Sequence, residues 1–231
     1  MKRFSTGSKL IDDILEGGLE PEVTTTIYGP SGSGKTNIAI LTALYNAKNS
    51  KIIFIDTEGG FSIDRVKQMF PETHERRLKN LIIFKPTTFK EQTELFRNLE
   101  KFSEEHEPKL IVVDSLSMLY RLELGEREAY EVNKEMARQI GVLRKISHKL
   151  VIPILLTNQV YADFDKKNDI KMVGGDLMKY TSKCIIKLEL NEHGRLLKLL
   201  KHRSIPIKEV QFKITQKNIE KSTEKRKFSL F

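Results

Sequence analysis

The stretch "TTTIYGPSGSGKTNIAILTALY", Thr24 to Tyr45, decides the fold. A β-branched run meets Gly29-Pro30, then small residues, then Lys35-Thr36, then an apolar segment of helical length. Its middle, Gly29-Pro30-Ser31-Gly32-Ser33-Gly34-Lys35-Thr36, matches G-x-x-x-x-G-K-[ST] at every fixed position, between the strand and the helix that the pattern needs. Glycines let the backbone curl so that successive N–H groups point inward, and the dipole of the following helix adds partial positive charge. This predicts a site for a nucleoside triphosphate, with Asn37 next to it in the helix. Lys35 is expected to reach the β and γ phosphates, and the Thr36 hydroxyl to ligate Mg²⁺. An ordinary Gly/Ser loop need not run at once into Lys-Thr and a helix.

Outside this stretch, 231 residues suffice for one large α/β domain with a full core. No apolar run approaches the roughly 20 residues of a membrane span. "MKRFSTGSK" has a basic start without an apolar continuation, so it does not read as a signal peptide. Cys184 is the only cysteine, which excludes an intrachain disulfide framework. A cytoplasmic protein without membrane partners is expected. Lys and Arg number 40 against 31 Asp and Glu, a net charge of +9. That balance suits a polyanionic partner, but a solvated lysine-rich surface gives the same count.

"SKLIDDILEGGLE" reads as a short amphipathic helix capped by Ser5 or Thr6 and stopped by Gly17-Gly18. After it strands and helices alternate. Compact apolar runs "TTTIY", "KIIFID", "NLIIF", "KLIVVD" and "LVIPILLT" suit strands buried on both faces of a parallel sheet. Helices are predicted over 36–45, 63–70, 89–105 and 126–148. From Cys184 on, "CIIKLEL", "LLKLLKHR" and "VQFKIT" predict an antiparallel extension at one sheet edge. The whole is a doubly wound α/β domain over residues 1–214, with 215–231 a basic, flexible tail.

Phosphate-loop chemistry also needs a metal-orienting acid and a group that activates water. "LIVVDS" delivers Asp114 at the end of a buried strand, where it can hold the Mg²⁺ shell. "IIFIDTEGGF" offers Asp56 and Glu58, and Glu58 is better placed to take a proton from water, although spacing alone leaves the two open. "ILLTNQV" ends in Asn158-Gln159, amides that could sense the γ-phosphate or simply make a turn.

These motifs, with "STGSKLIDDILEGGLE", "VVDSLSMLYRLELGERE" and "VGG" at Val173 to Gly175, resemble in order the ATPase core of RecA-type recombinases in their archaeal and eukaryotic form. The resemblance covers about Phe4 to Ile214. The chain starts at the core, without the N-terminal helical DNA-binding domain and aromatic anchor of full recombinases, so it is expected not to form strand-exchange filaments. The resemblance implies ATP and Mg²⁺ as ligands. Lys35, Glu58 and Gln159 take the roles of phosphate lysine, water-activating acid and γ-phosphate sensor, and Asp114 that of second-motif acid. It also sets Arg65 on the adenine ring. The segment from Tyr120 to Arg127 becomes the first DNA-facing loop, with Arg121 and Arg127. Val160 to Gly174 becomes the second, with Lys166, Lys167 and Lys171 beside Tyr161 and Phe164, a mixture of cations and rings suited to single-stranded DNA. Lys201, His202 and Arg203 close a strand, with alternation putting Lys201 and Arg203 on one face. They are read as DNA contacts, as cations reaching a neighbour's ATP, which requires a homo-oligomer, or as a solvated strand end.

The function expected is that of an ATP- and DNA-binding accessory protein of recombination and repair, a slow DNA-dependent ATPase that helps load a recombinase or assists a junction nuclease. Two alternatives are a signalling ATPase of the clock-protein type and a nucleotide-binding interaction module without turnover.

Overall fold

Four segments, 2–124, 128–162, 170–192 and 194–222, are described by the computed structural model of the chain. Among them, nine strands form one sheet in the order β11-β10-β9-β8-β1-β5-β4-β2-β3. The central strands are β1 (Thr24–Tyr28), β2 (Ile52–Asp56), β4 (Ile111–Asp114) and β5 (Ile154–Asn158), buried at every position as their apolar runs predicted. With β3 (Leu81–Phe84) at one edge, they pair in parallel.

Alternation along each strand divides the core. Ile52 and Phe54 of β2 face one apolar layer, and Ile53 and Ile55 face the other. The first layer is covered by α1 (Lys9–Ile14), α2 (Lys35–Asn46) and α3 (Ile63–Met69). The second is covered by α5 (Phe89–His106), α6 (Met118–Glu123), α7 (Ala129–Leu150) and α8 (Gly175–Thr181). A short α4 (His74–Leu78) completes the helices. The expected cap of α1 is corrected. Ser8 is the residue before α1, and Ser5 and Thr6 do not cap it: the Thr6 amide and hydroxyl donate to Asp12 Oδ1 at 2.7 Å and the Ser5 hydroxyl donates to Asp12 Oδ2 at 2.5 Å, folding the entry segment back onto the helix.

The C-terminal strands form the expected antiparallel extension: β8 (Cys184–Asn191) joins the sheet in parallel with β1, β9 (Gly194–Lys201) turns back on β8, and β10 (Lys208–Ile214) on β9. The boundary drawn at 214 falls too early. β11 (Ile219–Lys221) pairs with β10, Ile219 is buried, and the Ser8 hydroxyl donates to its carbonyl at 2.8 Å. One apolar residue between polar neighbours was too weak a signal for a strand; residues 223–231 of the expected tail lie outside the described set.

Candidate nucleotide site

The parallel strands all end on the same side of the sheet, so β1, β2, β4 and β5 deliver their terminal side chains to one crevice, as open α/β sheets do. Tyr28 of β1 leads into the loop from Gly29, and Gly34 caps α2 with φ +108°, a left-handed conformation that a side chain resists. Most of the 29–37 segment, with Glu58, Arg121, Gln159, Val160, Arg195 and Ile214, lines a cavity of about 550 Å³. Pro30 and Ser33 do not face it. Ser33 is fully buried and its hydroxyl has no partner, while Pro30 contributes a carbonyl.

Lys35 bends back on its own loop, donating to Gly29 O at 2.8 Å and Pro30 O at 2.9 Å. Burial holds its ammonium below the ordinary lysine pKa, and the charges of Glu58 and Asp114 oppose that shift. Asp56, the last residue of β2, and Glu58, just beyond it, differ in their partners. Asp56 accepts Gly60 N at 3.0 Å and Phe61 N at 3.1 Å, so both its oxygens shape the loop. Glu58 is exposed toward the cavity, and its Oε1 accepts the Ser115 hydroxyl at 2.5 Å and Gln159 Nε2 at 3.0 Å.

Asp114 is buried, and desolvation pushes its carboxyl up to about 6 although the Thr157 hydroxyl donates to Oδ1. Its Oδ2 is buried without a hydrogen-bond partner. The Thr36 hydroxyl faces the same carboxylate and lowers its pKa without closing a hydrogen bond on Oδ2. A methyl built on Gly60 would meet Thr36 Cγ2 at 3.1 Å and Asp114 Oδ2 at 3.9 Å, so hydroxyl and carboxylate converge on one small space. An orphaned carboxylate oxygen beside a hydroxyl fits Mg²⁺, which takes one or two protein oxygens and completes its shell with phosphate and water. Among the described residues no cluster of three or more His, Cys, Asp or Glu could hold a metal ion.

Gln159 joins this site to the second loop. Asn158 Nδ2 donates to Val173 O at 2.7 Å, its Oδ1 accepts Gln159 N at 2.9 Å, and Val173 N donates to Gln159 O at 3.1 Å. These bonds clamp the base of a hairpin, β6 (Val160–Ala162) and β7 (Ile170–Met172), that the sequence did not reveal. Phe164, Lys166 and Lys167 of the expected second loop and Arg127 of the first lie outside the described residues, as does the side chain of Lys171.

Of the other predicted residues, Arg65 and Arg121 lie at the cavity and the Lys201-His202-Arg203 triplet does not. Arg65 sits at the cavity's edge, where Nε donates to Asn37 Oδ1 at 2.7 Å and its terminal nitrogens to Thr215 O at 2.8 Å and Gln216 O at 2.9 Å. Arg121 lines the nucleotide cavity and also an adjoining groove with Tyr161, Val173 and Gly174. The Lys201-His202-Arg203 triplet is at the opposite end of β9, about 20 Å of strand from Arg195. His202 as a DNA contact is overturned: its side chain is 2% exposed, Nδ1 accepts the Ser204 and Ile205 amides at 3.2 Å, and burial lowers its pKa. β9 ends at Lys201, so strand alternation does not reach Arg203, which donates to Glu20 Oε2 at 2.6 Å, while Lys201 Nζ donates to Lys179 O at 2.6 Å. Arg195 was missed, because nothing in "EHGRLLK" announces a phosphate neighbour.

A family model described as Rad51 matches residues 1–222. The DNA repair and recombination protein RadB of Methanobrevibacter smithii is 41% identical over 217 residues, covering 90% of this chain and 92% of that protein. Its counterpart in Methanocaldococcus jannaschii is 37% identical over 213 residues, with 91% and 99% covered. The crystal structure of the RadB recombinase matches with a TM-score of 0.80 at 34% identity, covering 95% of this chain and 99% of that one.

Proposed function

The chain belongs to the Rad51 family, and from that premise we propose that it is an ATP-binding DNA recombination and repair protein in which the state of the bound nucleotide controls a DNA-facing loop. We assign it slow, DNA-dependent turnover and a supporting role beside a recombinase or junction nuclease. One observation carries this reading: Gln159 donates to Glu58 on the nucleotide side while its backbone and its neighbour Asn158 hold Val173 at the base of the hairpin.

Loop N–H groups and Lys35 receive the phosphates, Lys35 exchanging the carbonyls of Gly29 and Pro30 for phosphate oxygens. Thr36 and Asp114 would hold Mg²⁺, which would supply charge neutralisation to the phosphate tail. Glu58 accepts the proton of the attacking water, a role its exposure and the Ser115 hydroxyl support. When a γ-phosphate is present the Gln159 amide has a second acceptor to choose, and moving it pulls on the hairpin through the hydrogen bonds that Gln159 and Asn158 make with Val173.

Turnover measured with and without single-stranded DNA, beside DNA affinity measured with and without ATP, tests the proposal. DNA should raise turnover and ATP should tighten DNA. Turnover indifferent to DNA together with DNA affinity indifferent to ATP would overturn the coupling.

A further inference from the structure

We infer that Arg195 is a phosphate clamp supplied within the same subunit, contacting the terminal phosphates of the bound nucleotide; this rests on the nucleotide-binding reading above. β8 runs parallel to β1 and past the loop, so the turn into β9 places Arg195 over the phosphate loop. Arg195 pairs with Leu190 on one side and Phe212 on the other, which makes its backbone part of a three-strand platform. The loop is pressed against this platform: a methyl on Gly29 would lie 2.4 Å from Leu188 O.

From there the guanidinium reaches Gly32 O, with Nε at 3.3 Å and a terminal nitrogen at 3.2 Å. Two long hydrogen bonds to one neutral carbonyl use little of what a five-donor cation offers. Among the described residues no carboxylate pairs with it, although the chain fixes many of its other cations that way. The side chain is half-buried and lines the cavity with Lys35, Glu58 and Gln159. Gly32 itself has φ +73° and open space where a Cβ would stand. A triphosphate entering this cavity brings several negative charges within a short swing of the guanidinium. Exchanging the Gly32 carbonyl for phosphate oxygens would set a guanidinium on the terminal phosphates from within the same subunit, the placement of an arginine finger supplied in cis.

The test is the affinity of wild type, Arg195→Ala and Arg195→Lys for Mg-ATP and Mg-ADP, by titration at several protein concentrations. Arg195→Ala should weaken ATP roughly tenfold or more and ADP clearly less, at every concentration. Lysine keeps the charge but loses the fork, so Arg195→Lys should recover part of that preference. Melting of the nucleotide-free variants should match wild type, because the residue is half-buried and makes no ion pair among the described residues. Equal losses for ATP and ADP would mean that Arg195 only braces the loop, and unchanged affinities that it is an ordinary strand residue; either result overturns the inference and leaves the nucleotide site standing. Wild type that binds no ATP would overturn both.

Discussion

Burial pushes the Asp114 carboxyl up to about 6, so at neutral pH the folded chain holds an ionised group with one oxygen unpaired. The folded state keeps this proton more tightly than the unfolded chain, whose value is 3.8. Folding therefore takes up a proton between those values, and this group's effect on stability worsens as pH rises through the window and is complete above about 6. A shift of that size corresponds to at most about 3 kcal/mol. Asp114→Asn should raise the melting temperature of the nucleotide-free protein at pH 7.5, with a smaller gain at pH 5, and should lose the Mg²⁺-dependent part of ATP affinity. Thermal melts at the two pH values check the first part, and titration with and without Mg²⁺ the second. At the same scale, Lys35→Ala should abolish tight ATP binding, whereas Glu58→Gln should bind ATP and lose turnover, because one residue meets ground-state phosphates and the other the attacking water. Wild-type turnover in Glu58→Gln would remove that role from Glu58. These residues were legible because each follows an apolar strand or sits in a fixed motif. Arg195 was not, since its cue is a hydrogen bond to a carbonyl 163 residues away, and Asp56 could be set apart from Glu58 only by the amides it accepts.

The hairpin β6–β7 hangs on Asn158, whose amide serves Val173 O and Gln159 N at once. Asn158→Ala leaves a buried carbonyl without its donor, a loss of about 1–3 kcal/mol. We expect the variant to bind ATP nearly as wild type does but to lose the tightening of DNA by ATP; undiminished tightening in a DNA-binding assay would show that the hairpin is driven by another route. On the proposed reading, the lysines at 166, 167 and 171 would set the electrostatic share of that binding. Their replacement together by alanine should weaken single-stranded DNA and flatten the dependence of log K on log salt by about 0.7 for each phosphate that is no longer neutralised. An unchanged slope would make them a solvated loop. Long elements were readable at this scale: β1 has the predicted ends, and α5 exceeds its prediction by a residue. The hairpin was not, because its pairs, Val160 with Met172 and Ala162 with Ile170, span an intervening segment with no tight-turn signature. Helices as short as α4 and α6 carry too few turns to show a period.

Across the whole molecule, the last strands wall the first loop. Gly34 lies against Ile214, Gly29 against Leu188, and Arg65 is held by the Thr215 and Gln216 carbonyls at the β10–β11 turn. A chain ended at Ile214 should lose roughly 5 °C or more of melting temperature, through the buried Ile219 and its hydrogen bonds, and should bind ATP less well. Removing only Lys227 to Phe231 should leave ATP binding intact, and a calorimetric melt and titration of each truncation measure both effects. The parallel sheet and its order of alternation could be read from the sequence, but the place where the sheet ends could not, since β11 offers one apolar residue between charged neighbours. The same wall has a consequence for synthesis. A ribosome adding about 5–20 residues per second needs on the order of 10–40 s to pass from the first strand to Ile214. During that interval the phosphate loop exists without its outer side, and β1 waits for partners at Ile154 and Cys184. Nascent chains can therefore acquire a competent nucleotide site only after β10 has been made, so that ATP capture reports a chain extended past Ile214.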